Sequence, residues 1–308
     1  MQVWNTTKHY LRSPYHTTKS HIHAIKHGYP AQSLKIIAVT GTDGKTTTAT
    51  MIFHMLKSQG LRVGLASTVY FSLPSKGLYR NKTKMTSLPP AEAQNFFKDC
   101  IKEDLDYVVV EASSVALHQQ RFAGMSPFIA CLTNITREEL AYHRTMKHYE
   151  KSKRRIMYRA NHAVLPPNFK HWKNGDTQIS HYDRDNIPMG TLQIEGDYNY
   201  DNAAIAYEVG KLLEIKDIDI LRSLESYEGV VGRMERVEDP EGRHVFVDYA
   251  VTPAAFEAVY KSLKRNYPQG KLIHVFGATG GGRDAEKRPL LGKLASEYCD
   301  TIILTDEE

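Results

Sequence analysis

The sequence has few cysteines and no long apolar run. Its three cysteines, Cys100, Cys131 and Cys299, lie far apart and form no C-x-x-C pair, which excludes a disulfide framework and a cysteine zinc site. No stretch approaches the ~18 consecutive apolar residues of a membrane span. Internal repeats and low-complexity segments are also lacking. With 41% hydrophobic and 24% charged residues among its 308, the chain has the composition of a globular enzyme of the reducing cytoplasm.

Acidic residues are absent from the start of the chain, where Asp43 is the first. The same stretch carries five basic residues: Lys8, Arg12, Lys19, Lys26 and Lys35. It has no apolar core of the kind that a secretory signal needs. A transit peptide, a nucleic-acid arm or a weak contact of residues 1–35 with anionic lipid would each suit such a stretch. We expect a plainer solvated N-terminal helix, with no nucleic-acid partner, and keep the peripheral membrane contact as an alternative.

Short apolar segments alternate with helical segments along the rest of the chain. The predicted strands are Lys35–Thr40, Tyr107–Ala112, Phe128–Asn134, His162–Leu165, His244–Tyr249, Lys271–Phe276 and Thr301–Thr305. The predicted helices are Thr46–Gln59, Pro90–Glu103, Thr145–Arg159, Asn199–Leu213, Pro253–Arg265 and Glu286–Glu297. The strands are rich in valine and isoleucine, as buried parallel strands are. This alternation predicts an α/β fold with a doubly wound, mainly parallel sheet.

A junction near Gly232 divides the chain, because an acidic helical run ends there and a new strand–helix–strand series begins. We predict a basic N-terminal segment at 1–34, an ATP-binding domain at 35–232 and a second domain at 233–308. The sequence given stops directly after a strand, in "TIILTDEE". A doubly wound domain of three strands would leave a sheet edge open, so we expect the second domain to be partial.

Residues 38–51, "AVTGTDGKTTTATM", join a predicted strand to a predicted helix. The strict phosphate-loop pattern requires glycine where Val39 stands, but Gly41 and Gly44 still allow the backbone N–H groups to turn inward. The positive end of the following helix points at the same place. Lys45 can reach the outer phosphates and the Thr46 hydroxyl can bind Mg²⁺. The segment therefore predicts a site for a nucleotide with magnesium.

Two further strands deliver polar residues to the same rim of the sheet. Glu111 ends one in "VVVEASS", and Glu138, Glu139 and His143 follow another in "TNITREELAYH". A carboxylate at this rim can hold a second metal ion, although a lone strand-end glutamate is more often an ordinary rim residue. The helix "HYEKSKRRI" carries Lys153, for which a solvated basic face is the plain alternative.

Taken together, these segments resemble one family. "TGTDGKTTT", "EASS", "TNIT…L.YH", "YEKSK", "GDYNYDNAAIA", "VVGRME", "VDYA.TP" and "GATGGGRDAEKRPLLGKLA" occur in the order found in the Mur ligases, over about residues 34–308. The resemblance is strongest to the branch that adds the third residue of the stem peptide. It implies a P-loop central domain followed by a partial Rossmann-like domain in a cytoplasmic monomer.

The resemblance also implies a reaction. Mur ligases use ATP and Mg²⁺ to convert a carboxylate of a UDP-MurNAc-peptide into an acyl phosphate. The amine of an amino acid then attacks it, and amide, ADP and phosphate result, in peptidoglycan biosynthesis. Positioning and charge neutralisation dominate phosphoryl transfer, which is why such a site needs a phosphate cradle, metal ions and a cationic residue.

Site residues follow from the matching motifs. The phosphate cradle is assigned to Gly41, Thr42, Asp43, Gly44, Lys45, Thr46 and Thr47. Metal ligands are assigned to Thr46, Glu111 and Glu139. Asn202 matches the adenine contact, Arg233 a residue that reaches the nucleotide from the domain junction, and Asp248 an acid that contacts the nucleotide. Lys153 matches the lysine that the family carries as a carbamate. The catalytic assignments are Lys45, Glu111, Lys153 and Arg233.

Some positions depart from the family pattern. Glu139 stands where a histidine metal ligand is usual, Ala141 replaces an aspartate and Val251 replaces the histidine of "YAHTP". Carboxylate oxygen suits Mg²⁺ at least as well as histidine nitrogen. The segment before the phosphate loop is too short for the UDP-sugar domain of the tripeptide-forming branch. Two alternatives therefore stay open, a ligase similar to folylpolyglutamate synthetases and a truncated ATP-binding protein without catalysis.

Overall fold

The computed structural model describes residues 13–83, 85–172, 175–278 and 285–306. Within them, twelve strands are present. They are β1 (Ile36–Thr40), β2 (Val63–Ala66), β3 (Tyr70–Leu73), β4 (Gly77–Arg80), β5 (Tyr107–Glu111), β6 (Ile129–Leu132), β7 (His162–Leu165), β8 (Gln178–His181), β9 (Glu235–Val237), β10 (Val245–Val247), β11 (Ile273–Phe276) and β12 (Thr301–Leu304).

The described helices flank these strands. They are α1 (Ser13–His27), α2 (Lys45–Ser58), α3 (Pro90–Lys102), α4 (Ser114–His118), α5 (Leu140–His143), α6 (Met146–Met157), α7 (Asn199–Leu212), α8 (Asp217–Glu225), α9 (Pro253–Asn266) and α10 (Lys287–Tyr298). None of the helices in the described part of the chain combines the length and the apolar character that crossing a bilayer requires.

One sheet of eight strands dominates the fold, in the order β4-β3-β2-β5-β1-β6-β7-β8. The six strands from β2 to β8 in that order pair in parallel, whereas β3 and β4 form an antiparallel extension. The predicted α/β class with a mainly parallel sheet is confirmed. The prediction missed β2, β3, β4, β8 and β9, which are three or four residues long.

The central strands are buried on both faces, which explains their continuous apolar sequences. In β1, Ile36 and Ala38 face one core together with α3 and α6, while Ile37 and Val39 face the other with α2 and α7. Because side chains alternate along a strand, an unbroken run of apolar residues fills two cores at once. Helices therefore cover both faces, as a doubly wound sheet requires.

The C-terminal part of the described chain forms two smaller sheets. The first is the antiparallel pair β9–β10, and the second is the parallel pair β11–β12. Helices α9 and α10 pack together through a small core of Phe256, Tyr260, Leu291 and Ala295. Residues 279–284, which belong to the predicted motif "GATGGGRDAEKRPLLGKLA", lie outside the described residues.

Helix α1 packs against the large sheet domain, on the side of α3. Ser20 and Ala24 are fully buried, and the Ser20 hydroxyl donates to the Gln119 carbonyl at 3.1 Å. The predicted helix is confirmed, but the expectation that it is solvated is wrong for this face. Lys8 and Arg12 lie outside the described residues, and the membrane contact of residues 1–35 stays a prediction.

Candidate active site

The phosphate-loop segment connects the end of β1 to the start of α2, and two glycines determine its path. A Cβ on Gly41 would lie 1.8 Å from the Thr133 hydroxyl oxygen. Gly44 adopts φ +80°, and a Cβ there would lie 2.3 Å from Oδ1 of Asn202. Only glycine fits both positions without displacing neighbours. The glycine missing at Val39 is not needed, because that residue is still inside β1.

The loop is held by the chain that follows β6. The Thr42 N–H donates to the Asn134 carbonyl at 3.0 Å, and the Asp43 N–H donates to the Asn134 side-chain oxygen at 3.0 Å. The Thr133 hydroxyl donates in turn to the Asp43 carbonyl at 2.6 Å. These bonds fix the loop before any ligand binds, so the cradle is preorganised.

The first turn of α2 places the cationic and hydroxyl groups of the loop. Lys45 donates through Nζ to the Thr42 carbonyl at 2.6 Å. Burial lowers the Lys45 pKa, and the charges of Asp43 and Glu111 oppose that shift. The Thr46 hydroxyl donates to Oε2 of Glu111 at 3.2 Å. A helix N-terminus that carries a lysine and follows a glycine-containing loop is suited to bind phosphate.

Glu111 is buried at the C-terminal end of β5, next to this turn. Besides Thr46, Thr68 binds it, with its N–H donating at 2.9 Å and its hydroxyl at 2.8 Å. Burial raises the Glu111 pKa, although the bonds from Thr68 and the charge of Lys45 counteract the rise. The sequence prediction missed Thr68, which lies in the turn between β2 and β3.

The oxygen atoms of Thr46 and Glu111 form a donor pair of the kind that Mg²⁺ prefers. Glu139 begins α5 with a positive φ of 57° and is exposed. Its charge acts on the pKa of Lys45 and of Lys153, which places it in the same region. Among the described residues, no group of three His, Cys, Asp or Glu side chains is arranged to hold a metal. Metal ligation by Glu139 therefore stays a prediction.

Lys153 is buried on α6 and points at the phosphate loop. Its amine donates to the Gly41 carbonyl and lies 4.4 Å from the ring centroid of Tyr149. Burial lowers its pKa well below the usual range, and the positive charge of Lys45 lowers it further. The plain alternative of a solvated basic face is wrong for Lys153, whereas it fits the exposed Lys151.

A buried cluster behind Lys153 was not predicted as a unit. The two ring nitrogens of His143 lie 3.0 Å from the Ser114 hydroxyl and 3.4 Å from the Ser152 hydroxyl. Tyr149, which packs against His143, shares a 3.0 Å hydrogen bond with the Thr42 hydroxyl. Burial lowers the pKa of His143 to about 3. The cluster therefore links the phosphate loop to the helix of Lys153.

The C-terminal part contributes residues to the same place. Arg233 lies 3.5 Å from the Thr46 hydroxyl through Nη2, and its guanidinium lies 4.6 Å from the Tyr249 ring centroid. Asp248 accepts from the Met234 N–H at 2.8 Å, which ties it to the turn that carries Arg233. The Thr252 hydroxyl donates to the Asp43 carboxylate at 3.1 Å. No role was predicted for Thr252 from the sequence.

Asn202 contacts the phosphate loop from helix α7 of the large sheet domain. Its side-chain oxygen accepts from the Thr48 hydroxyl at 3.1 Å and lies against Gly44. Its side-chain nitrogen donates to Asn199 at 2.9 Å. The structure thus gathers Glu111, Lys153, Asn202 and Arg233 around the predicted loop.

Comparisons with known proteins agree with this geometry. A family model of the Mur ligase middle domain matches residues 39–179, and a model of the Mur ligase glutamate ligase domain matches residues 232–308. A UDP-N-acetylmuramyl-tripeptide synthetase of Roseiflexus sp. strain RS-1 is 33% identical, over 92% of this chain and 64% of the relative. This chain therefore spans less than two thirds of that relative's length.

Solved structures show the same fold. A UDP-N-acetylmuramoyl-L-alanyl-D-glutamate–2,6-diaminopimelate ligase matches with a TM-score of 0.65 and 28% identity, covering 89% of this chain and 62% of the other. A complex of FPGS with AMPPCP and folate matches with a TM-score of 0.70 over 93% of this chain and 83% of the other. Its 17% identity shows the fold alone. By its two matching domain models and its relatives, the chain belongs to the Mur ligase family.

Proposed function

We propose that this protein is an ATP-dependent, ADP-forming ligase that joins an amino acid to a UDP-MurNAc-peptide in peptidoglycan biosynthesis. One observation carries the proposal. A preorganised phosphate loop meets a buried carboxylate, Glu111, and a buried amine, Lys153, within one cleft. Relatives in the family bear the names of such ligases, and a solved structural neighbour contains AMPPCP.

The reaction transfers the terminal phosphoryl group of ATP to a carboxylate oxygen of the acceptor. The amine of the amino acid then forms the amide bond as phosphate leaves. The loop N–H groups and Lys45 hold the phosphates and offset their charge. Mg²⁺, held by Thr46 and Glu111, would supply further charge neutralisation when bound. Glu139 is proposed as an additional ligand.

Lys153 has the environment that carbamate formation needs. Only a neutral amine reacts with CO₂, and burial beside Lys45 lowers the Lys153 pKa. The carbamate would replace a buried cation with an anion able to orient the reacting groups. Arg233 brings a positive charge from the C-terminal part, and Asn202 and Asp248 complete the proposed contacts to the nucleotide.

The test is phosphate release, measured with ATP, Mg²⁺, a UDP-MurNAc-dipeptide and a panel of amino acids. We expect release only when both the acceptor and one amino acid are present. Release with a folate and glutamate instead would favour the folylpolyglutamate alternative. If ATP binds but neither acceptor gives turnover, the result favours the non-catalytic alternative and contradicts the ligase proposal.

Calorimetric titration tests nucleotide binding separately from turnover. Lys45→Ala is expected to abolish binding of Mg·ATP, because it removes the cation that faces the outer phosphates. Lys57→Ala is the matched control, since Lys57 is exposed at the far end of the same helix α2. Equal affinity in the wild type and Lys45→Ala would refute the assignment of the loop.

A further inference from the structure

The hydroxyl of Tyr198 is buried without a hydrogen-bond partner among the described residues. Burying a hydroxyl unpaired costs roughly 1–3 kcal/mol in folded proteins. Most buried polar groups are satisfied, so an orphan at a ligand site calls for an explanation. The mechanism derived above does not use Tyr198.

Local structure places Tyr198 next to the phosphate loop. Tyr198 caps the start of α7, and its carbonyl accepts from the Asn202 N–H at 3.3 Å. It therefore lies one turn before the side chain that packs against Gly44 of the phosphate loop. The ring lies over Gly196, where a Cβ would come within 2.7 Å of the ring carbon Cζ. Gly196 thus makes room for the ring in this orientation.

The charges around the hydroxyl indicate which part of a nucleotide it meets. Burial raises the Tyr198 pKa, the charges of Asp248, Asp43 and Glu195 raise it further, and the charge of Arg233 lowers it. Three carboxylates against one guanidinium disfavour a phosphate at this point. In the proposed function, the loop N–H groups and Lys45 already bind the phosphates. A ribose hydroxyl is neutral, can accept from the phenol and can donate to a carboxylate.

We propose that the Tyr198 hydroxyl donates a hydrogen bond to a ribose hydroxyl of the bound nucleotide. It would then be a residue that positions the sugar and selects ribonucleotides over deoxyribonucleotides. This inference rests on the proposed function, because it requires ATP in this cleft.

The experiment removes one hydroxyl from the protein and one from the ligand, separately and together. Calorimetry gives the affinities of wild type and Tyr198→Phe for ATP, 2′-deoxy-ATP and 3′-deoxy-ATP. Wild type is expected to prefer ATP over one of the deoxynucleotides by about five- to tenfold. Tyr198→Phe is expected to lower the affinity for ATP by the same factor and to leave the affinity for that deoxynucleotide unchanged. The preference then disappears in the variant, as a direct contact requires.

Thermal unfolding without nucleotide supplies a second, independent readout. Because the hydroxyl has no partner among the residues that the structure describes, Tyr198→Phe is expected to unfold at the wild-type temperature or above it. Tyr260→Phe is the matched control, since the Tyr260 hydroxyl is paired with His274 at 2.7 Å in the C-terminal core. That variant is expected to unfold at a lower temperature and to keep the ribose preference.

Three outcomes overturn the inference while leaving ATP binding intact. The wild type could show no ribose preference, the variant could retain the preference, or the variant could bind all three nucleotides more weakly by the same factor. A lower unfolding temperature for Tyr198→Phe would also count against it, because the hydroxyl would then have a structural partner. Failure of the wild type to bind any of the nucleotides would instead refute the proposed function itself.

Discussion

At the scale of single residues, the buried environment of Glu111 lowers the stability of the fold but suits the binding of a metal ion. Burial raises its pKa above the usual value, so the folded state disfavours the ionised form. The folded state therefore loses stability as the pH rises from the unfolded pKa through the folded one. At neutral pH the ionised carboxylate is retained at a cost, which is typical of functional sites.

Replacing Glu111 by glutamine separates these two effects. Glu111→Gln is expected to unfold at a higher temperature than wild type at pH 7, by about 1 kcal/mol in free energy of unfolding, because no buried charge remains. It is also expected to lose the stabilisation that Mg·ADP gives to wild type. Differential scanning calorimetry with and without Mg·ADP measures both. Glu297→Gln, at an exposed position of α10, should change neither, and a destabilised Glu111→Gln would contradict the argument.

Lys153 provides a prediction that depends on carbamate chemistry. Lys153→Ala is expected to lose ligase turnover, and short carboxylic acids are expected to restore part of it by entering the vacated space. NMR with ¹³C-labelled bicarbonate should show a carbamate signal in wild type that Lys153→Ala lacks. Lys151→Ala, two residues away on the exposed face of α6, should retain both. No rescue and no carbamate signal would leave Lys153 as a structural amine only.

The sequence predicted the residues that carry recognisable chemistry, but it did not predict the residues that position them through hydrogen bonds. Lys45, Glu111 and Lys153 stand in motifs at the ends of strands or on a helix. Thr68 has no motif of its own, and its bond to Glu111 arises because β2 pairs with β5. Thr252 likewise meets Asp43 across more than two hundred positions of sequence. Such contacts depend on strand order and domain placement, which periodicity does not encode.

At the scale of elements, an unbroken apolar run was the signal from which the sequence predicted a strand. The strands β1, β5 and β6 were predicted because each forms an unbroken apolar run buried on both faces. By contrast, β4 is exposed at all four positions and is therefore free to carry polar residues. Strand β2 is four residues long and contains Gly64, which weakens a strand signal. Short or exposed strands take their conformation from their neighbours rather than from their own residues.

Buried histidines join the short helices α4 and α5 to α6, the helix that carries Lys153. His143 at the end of α5 contacts Ser114 on α4 and Ser152 on α6. Burial lowers the pKa of His143 to about 3 and that of His118 to about 4. In both cases the folded pKa lies below the unfolded value of 6.5, so stability is full above pH 6.5 and falls as the pH drops.

This arrangement predicts the acid sensitivity of the fold. Each buried histidine is expected to contribute a loss of roughly 1 kcal/mol per pH unit between pH 6 and 5. His143→Gln keeps a polar side chain and is expected to reduce that slope by one histidine's share. Urea unfolding at pH 7, 6 and 5 measures it. His171→Gln is the control, because His171 is exposed, and an unchanged slope in His143→Gln would refute the assignment.

At the scale of the whole molecule, the cleft exists because the C-terminal part lies against the large sheet domain. Thr252 bonds to Asp43, Arg233 approaches Thr46, and Lys287 lies 3.5 Å from Glu138. Farther from the cleft, the Glu195 carboxylate accepts from Asn266 Nδ2 at 2.6 Å and from the Tyr267 hydroxyl at 2.9 Å. These contacts hold the C-terminal part against the large sheet domain, and the proposed reaction would need such an arrangement to shield its acyl phosphate from water.

A charge placed at that remote contact tests whether closure supports nucleotide binding. Asn266→Asp sets a carboxylate against Glu195 and is expected to open the cleft, which should weaken ATP binding about three- to tenfold, or about 0.7–1.4 kcal/mol. Small-angle scattering should show a larger radius of gyration. Asn186→Asp is the matched control, because Asn186 donates to Asp183 at 2.7 Å within the large domain, so repulsion there cannot separate the two parts. If both variants bind ATP as wild type does, the remote contact has no part in closure.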